Sequence, residues 1–124
     1  VTSLLCFDMD GNRQFTYSPG NLLFPAGVSV DREDNIYVIG FDSHNIHQLS
    51  PGGSVLQVIT AGVPQSPKGI YFDKRKDLFF LTSYPDANNL YVYQLRKILR
   101  EKIKIYYNVY EAKSVSLCTN TILC

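Results

Sequence analysis

One pattern recurs in this chain 42 residues after its first appearance, and an internal repeat of that length restricts the possible folds more than composition does. The pentapeptide GVSVD at 27–31 is followed by GIYFD at 69–73, and NIYVI at 35–39 is followed by DLFFL at 77–81. Glycine, hydrophobic and acidic residues keep their places in both copies. A structural unit of 42 residues is therefore used more than once.

The same spacing extends toward the N-terminus, where several positions keep their character 42 residues later. The pairs are Leu4 with Ile46, Phe7 with Leu49, and Gly11 with Gly53. Phe15 falls on Gln57 and does not keep its character. The repeat therefore covers residues 4–95.

Each unit consists of short stretches of β-branched and aromatic residues divided by turn residues, which is typical of strands. The predicted strands are 27–31, 35–40, 45–49 and 55–59 in the complete unit, and 69–73, 77–82 and 89–95 in the next. Runs such as IYVI and LFFL lack polar alternation, which indicates strands buried on both faces. A repeat of roughly 40–45 residues with four short strands is the size of one β-propeller blade.

These observations predict an all-β fold, a partial β-propeller of about two and a quarter four-stranded antiparallel blades with a divergent C-terminal tail. The expected blades are a partial one over residues 1–26, a full one over 27–68 and a third over 69–95. A β-sandwich would show cleaner alternation and no repeat of fixed length. Since closed propellers have about four to eight blades, we expect open blade edges and self-association through them.

The tail over residues 96–124 departs from the repeat and is basic. Residues 1–95 carry six Lys and Arg against nine Asp and Glu, whereas the tail carries six against two. Residues 96–102 contain no helix breaker and favour a short helix, and the alternation over 102–109 favours a strand, the fourth of the last blade. Two alternatives stay open: a segment foreign to the fold, and a basic amphipathic helix at a membrane surface.

The segment GVSVDREDNIYVIGFDSHNIHQLSPGGSVLQVI, residues 27–59, resembles one NHL repeat nearly from end to end. Over residues 4–95 the chain resembles the C-terminal propellers of tripartite-motif (TRIM-NHL) proteins, of the expanded invertebrate type. It departs from that pattern at Lys74, Arg75 and Lys76, which replace a glycine-rich turn. The resemblance implies a propeller that recruits substrates or partners for a ubiquitin ligase, whose activity would reside in a RING domain that this chain lacks.

Several kinds of site are disfavoured. No run of about eighteen apolar residues is present, which argues against a membrane span. The chain has three cysteines, an odd number, and no two of them have CxxC spacing (Cys6, Cys118 and Cys124). No cysteine lies near His44 and His47 to complete a zinc site. We therefore expect no metal, no cofactor and reduced thiols in a cytoplasmic protein. Since no GxSxG, HExxH, phosphate-binding or EF-hand motif occurs, we expect no catalytic residues and no enzyme activity.

The candidate contact residues for a protein partner are Asp42, His44, Lys68 and Tyr84. They lie between second and third strands or between blades, in connections that open on one face of a propeller. Three of them also have a structural alternative. Asp42 with Ser43 caps a turn, and His44 is a loop residue. Tyr84 with Pro85 forms a packed corner. His47, three residues after His44, is predicted to be a strand-surface residue.

Asp31 and Asp73 recur at the same position of the repeat. Paired carboxylates raise the question of general acid and base catalysis. A residue that occurs once per blade is better explained by the blade, so each is predicted to hold its own hairpin turn. The run at 74–76 is predicted to be a solvated turn on the opposite rim.

Three functions fit a propeller of this kind. Protein recruitment is the first. RNA binding is the second, and the net negative charge of residues 1–95 disfavours it, because phosphate contacts dominate RNA affinity. A metal-dependent lactonase or lyase is the third. Such an enzyme requires polar residues that point into the central channel. The second strands of this chain are apolar, which argues against this function.

Overall fold

The computed structural model describes residues 3–85, 90–97 and 103–112 of the 124-residue chain. Ten strands are found in this part of the chain. They are β1 (Leu4–Phe7), β2 (Arg13–Tyr17), β3 (Pro25–Val30), β4 (Ile36–Gly40), β5 (Asn45–Leu49), β6 (Val55–Ile59), β7 (Pro67–Asp73), β8 (Leu78–Ser83), β9 (Leu90–Lys97) and β10 (Ile103–Ala112). They build three antiparallel sheets in chain order: the first sheet β1–β2, the middle sheet β3–β6 and the last sheet β7–β10.

The all-β fold expected from the repeat, a partial β-propeller, is confirmed. In both four-stranded sheets each strand pairs with the next one along the chain, as in a propeller blade. The blades begin at Pro25 and Pro67, two residues before the predicted positions. The first sheet corresponds to the third and fourth strands of a blade, so the ten strands make two and a half blades rather than two and a quarter. Within the described ranges, no helix has the length and apolar character to cross a membrane.

Part of the tail belongs to the last sheet. Ile103–Ala112 form β10, which pairs with β9 as the fourth strand. The short helix predicted over 96–102 is wrong at its start, because β9 extends through Lys97 and pairs there with β10. Residues 98–102 and 113–124 lie outside the described residues, so the remaining predictions for the tail stay predictions.

The first sheet repeats the geometry of β5 and β6. Leu4 and Ile46 occupy the same position in the two hairpins, which share their register and the place of their bulge. Gly11 (φ 86°) and Gly53 (φ 94°) close the two turns in the left-handed region. Glycine is favoured there because a Cβ atom is strained at positive φ. The 42-residue spacing is therefore a repeat of backbone structure as well as of sequence.

The spacing lengthens by one residue at β8, which corrects the alignment made from sequence. Ile39 pairs with Gly27, and Thr82 takes the same place opposite Gly69. Ile39 and Thr82 are 43 positions apart, so the added residue lies in the turn 74–77 that joins β7 to β8.

A shift of one residue reverses the face on which every side chain of a strand lies. Phe79 and Leu81 therefore point toward the middle sheet, where each is fully buried. Phe80 and Thr82 lie on the opposite face and are only partly buried. The alignment at constant spacing, which placed 77–81 over 35–39, is therefore wrong by one residue in β8.

The two central strands of the middle sheet, β4 and β5, are buried on both faces. Val38 and Leu49 pack toward the first sheet. Tyr37, Ile39 and Ile46 pack toward the last sheet. All five side chains are at most 1% exposed, and successive residues of a strand alternate between the two clusters. This arrangement accounts for the continuous apolar run IYVI.

A chain of hydrogen bonds crosses the middle sheet inside this apolar environment. The Tyr37 hydroxyl donates to Asp31 Oδ2 at 2.9 Å. Gln48 Nε2 donates to the Tyr37 oxygen at 2.7 Å, and Gln57 Nε2 donates to Gln48 Oε1 at 2.7 Å. Burial, reinforced by the Asp31 carboxylate, raises the pKa of Tyr37 far above its ordinary value, so the phenol remains a donor. Buried polar groups are tolerated when they are bonded in this way.

Asp31 also holds its own turn, as predicted. Its Oδ1 accepts the backbone N–H groups of Glu33 (2.8 Å) and Asn35 (3.0 Å). The Asp31 residue is only 4% exposed. Asp73, its counterpart, accepts the backbone N–H of Arg75 at 3.0 Å. Asp73 is only partly buried, and this hydrogen bond to its side chain comes from an exposed backbone group rather than from a buried tyrosine hydroxyl.

Replacing each aspartate in turn by alanine compares the buried environment of Asp31 with the more exposed environment of Asp73. We expect Asp31→Ala to lower the free energy of unfolding by about 2–3 kcal/mol, because it removes a charged acceptor from several buried donors. Asp73→Ala should cost less than about 1 kcal/mol, since its partner stays accessible to water. Urea denaturation of both variants measures the difference, and equal losses would contradict the assignment.

Candidate functional site

Several connections between strands meet at one end of the sheets. They are the β2–β3 connection (residues 18–24), the β4–β5 turn (41–44), the β6–β7 connection (60–66), and Tyr84 after β8. Antiparallel pairing places the start of β3, the end of β4, the start of β7 and the end of β8 at this end. The sequence prediction that these connections open on one face agrees with this topology.

An aromatic groove of about 260 Å³ lies at this end, between the middle and last sheets. It is lined by Phe24, Ala26, Phe41, Lys68 and Tyr84. The ring centroids of Phe24 and Phe41 are 5.9 Å apart, and those of Phe41 and Tyr84 are 6.2 Å apart. Lys68 Nζ lies 5.5 Å from the centroid of the Tyr84 ring, in the range of a cation–π contact.

The groove is built from equivalent positions of two blades. Phe41 follows Gly40 as Tyr84 follows Ser83, and Gly40 and Ser83 pair with the first residues of β3 and β7. Phe41 and Tyr84 are therefore the same position in consecutive blades. Lys68 likewise corresponds to Ala26, the second residue of its strand.

The backbone beneath the groove repeats in the same way. The Phe41 N–H donates to the Phe24 carbonyl at 3.0 Å, and the Tyr84 N–H donates to the Ser66 carbonyl at 2.9 Å. Phe24 (φ 55°) and Ser66 (φ 50°) both take the left-handed conformation, which non-glycine residues rarely adopt. Phe24 is 56% exposed.

His44 joins the loops of the two blades. Its Nδ1 accepts the backbone N–H of Ser66 at 2.9 Å, and the Ser66 carbonyl accepts the Tyr84 N–H. His44 itself is exposed and has a φ of 54°. This histidine is therefore connected to the Tyr84 side of the groove through one residue.

Ser43 supports the β4–β5 turn from inside. Its hydroxyl accepts the Leu23 N–H at 3.0 Å and donates to Asn45 Oδ1 at 2.7 Å. A Cβ atom on Gly40 would overlap the Ser43 hydroxyl, so glycine is required for this close approach. The turn-capping role expected of Asp42 with Ser43 is carried out by the serine, and Asp42 remains exposed beside Phe41.

The four predicted contact residues thus lie at the same end of the molecule. Lys68 and Tyr84 line the groove and His44 is linked to it, whereas Asp42 is exposed and follows the lining residue Phe41 in the chain. Their role in binding stays a prediction. The alternative of a packed corner is wrong for Tyr84, whose side chain is 57% exposed.

Sequence reasoning missed Phe24 and Phe41. A signal for Phe41 was present, because an aromatic residue directly follows the second strand in both blades. The constant 42-residue spacing concealed it by aligning Phe41 with Ser83 instead of Tyr84. Phe24 carries no comparable signal, since its equivalent position in the next blade is Ser66.

His47 is fully buried, so its prediction as a strand-surface residue is wrong. Its Nδ1 lies 2.6 Å from the Tyr17 hydroxyl and its Nε2 lies 3.2 Å from the Asn21 carbonyl oxygen. Because a carbonyl only accepts, Nε2 carries the proton and Nδ1 accepts the Tyr17 hydroxyl. Burial lowers the pKa of His47 and outweighs the Asn21 carbonyl, which favours the charged form. The neutral imidazole therefore joins the first and middle sheets.

The opposite end of the sheets carries the basic turn. Arg32 Nε donates to the Lys74 carbonyl at 2.8 Å, and Arg32 forms an ion pair with Asp77 at 2.9 Å. Lys74, Arg75 and Lys76 are exposed there. The predicted solvated turn is present and is tied to the neighbouring blade by Arg32. In the part of the chain that the structure describes, no three His, Cys, Asp or Glu side chains converge as a set of metal ligands.

Comparison with known families gives one result that bears on these blades. Residues 13–40 match the family described as "Beta-propeller repeat". The match runs from β2 through β4 and so joins the half blade to the middle sheet. No curated protein matches the chain. The chain contains a β-propeller repeat, in agreement with its sheet topology.

The buried imidazole predicts a dependence of stability on pH. The folded pKa of His47 lies below the ordinary value of 6.5, so the unfolded chain binds a proton first as pH falls. The contribution is fully present above about pH 6.5 and is lost below it, with a slope of at most about 1.4 kcal/mol per pH unit. Urea denaturation between pH 7.5 and about 5 measures it.

His47→Gln should flatten this pH dependence, because glutamine keeps a donor for the Asn21 carbonyl and does not titrate. His44→Gln is the matched control, since His44 is exposed. An unchanged slope in His47→Gln, or an equal change in His44→Gln, would contradict the assignment.

Proposed function

We propose that this chain is a protein-interaction module that binds a short segment of a partner in the aromatic groove. The exposure of the Phe24 and Tyr84 rings at the junction of two blades carries the proposal. Aromatic side chains that remain accessible at a surface supply large contact area with few rotatable bonds. They are also enriched among the residues that dominate binding energy.

The chemistry of the groove suggests the kind of segment. Phe24, Phe41 and Tyr84 offer apolar ring surface, and Lys68 places one positive charge beside Tyr84. A partner segment with an apolar side chain next to a carboxylate satisfies both features. The carboxylate pairs with Lys68 while the apolar side chain contacts the rings.

The wider role follows the resemblance of the repeat to TRIM-NHL propellers. In this proposal the module recruits a substrate or partner for a ubiquitin ligase, and it performs no catalysis itself. A cytoplasmic location is part of the same proposal and rests on the cysteine pattern of the sequence. The groove adds support for recruitment, because its lining is apolar and aromatic rather than a cluster of cations suited to RNA phosphates.

Selection from a displayed peptide library tests the groove directly. We expect the chain to enrich peptides that pair Leu or Phe with Asp or Glu. Tyr84→Ala and Lys68→Ala should each weaken the selected peptides by about tenfold, the effect of losing about 1.4 kcal/mol. Lys68→Glu should shift the selection from acidic to basic residues.

Tyr71→Ala is the matched control, because Tyr71 is an exposed tyrosine outside the groove. Its effect on the selected peptides should stay within about twofold. Peptides that bind equally well to Tyr84→Ala, or enrichment of single-stranded RNA in place of acidic peptides, would overturn the proposal.

A further inference from the structure

Lys68 is the charged residue among the five that line the aromatic groove, and its side chain is exposed. In the described ranges, the ion pairs join Arg32 to Asp77 and Arg75 to Asp73, so the Lys68 ammonium has no carboxylate partner there. Its contact is the cation–π contact with the Tyr84 ring. A carboxylate from a ligand can therefore pair with Lys68 without displacing an existing ion pair.

The backbone donors of two lining residues are already engaged. The Phe41 N–H donates to the Phe24 carbonyl at 3.0 Å, and the Tyr84 N–H donates to the Ser66 carbonyl at 2.9 Å. These two groups therefore cannot form an anion-binding nest of backbone N–H groups. They also offer no hydrogen bonds to a peptide strand laid beside them. Recognition of a ligand charge in the groove falls to the Lys68 ammonium.

The groove is small, and its cation lies close to its apolar surface. Its volume of about 260 Å³ is below the range of about 300–1,000 Å³ that is typical of sites for drug-sized ligands. It therefore accommodates one large apolar side chain rather than a row of residues. Lys68 Nζ lies 5.5 Å from the centroid of the Tyr84 ring. A ligand that engages both must hold its carboxylate close to that apolar side chain.

An extended peptide meets this requirement best at its C-terminus. Successive side chains of such a peptide point to opposite sides, so an acidic residue next to an apolar one directs its carboxylate away from the groove. The next side chain on the same side lies about 7 Å further along the peptide. A C-terminal residue, by contrast, carries its carboxylate and its side chain on the same Cα atom.

We propose that the groove binds the C-terminal residue of a partner protein, a Phe or Leu with its free α-carboxylate. The carboxylate pairs with Lys68 Nζ, while the apolar side chain contacts the rings of Phe41 and Tyr84. Ordering one terminal residue also costs less conformational entropy than ordering a longer segment. The inference rests on the proposed function and adds to it which part of the partner is recognised.

Synthetic peptides with acetylated N-termini distinguish the sources of the carboxylate. The reference peptide is GSGSGF with a free C-terminus, and its C-terminal amide lacks the charge. The peptide GSGSGFGS, also with a free C-terminus, moves the charge two residues beyond the phenylalanine. The amide of GSGDGF supplies an aspartate side chain two residues before the phenylalanine instead. Dissociation constants come from titrating each peptide into the isotope-labelled full chain and following the amide chemical shifts of Phe41 and Tyr84.

We expect the reference peptide to bind about fivefold more tightly than each of the others, within the range of one exposed ion pair. In Lys68→Ala the dissociation constants should agree within about twofold, because the cation that recognises the carboxylate is gone. Lys68→Arg should keep the preference for the free C-terminus. Lys74→Ala is the matched control and should also keep it, since Lys74 is an exposed lysine at the opposite end of the sheets.

Failure of this inference and failure of the proposed function give different results. If the amide of GSGSGF or of GSGDGF binds as tightly as the reference peptide and Tyr84→Ala weakens that binding, recognition of the C-terminus is overturned. The groove then remains a binding site for an internal segment. Peptides that shift no amide of the groove, or that bind equally well to Tyr84→Ala, would overturn both.

Discussion

Apolar burial between stacked sheets is the interaction on which the rest of this structure depends. A single four-stranded sheet has two faces and no interior, so each blade obtains its core from its neighbours. In the middle sheet, Val38 and Leu49 bury one face and Ile39 and Ile46 bury the other. Each buried aliphatic side chain stabilises by about 1.5–3 kcal/mol relative to an exposed one. Because this packing fixes one blade against the next, the strand ends that build the aromatic groove have a defined separation.

Polar groups enter this apolar interior only with their hydrogen-bond partners. In the described ranges, every buried side-chain nitrogen and oxygen has such a partner. The bond between Gln48 and Tyr37 also fixes register, because a slip of one residue between β4 and β5 would move one of them to the other face. The bond between Tyr17 and His47 has a different consequence, since it joins two sheets. Directional bonds therefore select one alignment among those that apolar packing alone would permit.

The periodic part of the fold was predictable from sequence. The errors arise where a single inserted residue sets the strand alignment or where a partner distant in sequence sets the burial of a side chain. The strands and the turn role of Asp31 follow from patterns local to a blade. The extra residue in the turn 74–77 was hidden because LFFL is apolar in either phase, so both alignments look acceptable. His47 was misplaced because its hydroxyl partner, Tyr17, lies 30 residues away in another sheet. Phe24 takes a left-handed backbone conformation, which sequence pattern does not indicate for phenylalanine.

The repeat also explains why the two sides of the groove share a backbone frame and differ in charge. Two blades contribute the same backbone frame, with Phe41 and Tyr84 at one equivalent position and Ala26 and Lys68 at another. The side chains at these positions differ, so the two sides of the groove are chemically distinct. Lys68 places a positive charge beside Tyr84 that Ala26 cannot supply beside Phe41. Regular packing therefore determines where the groove lies, while the substitutions between blades determine its chemistry.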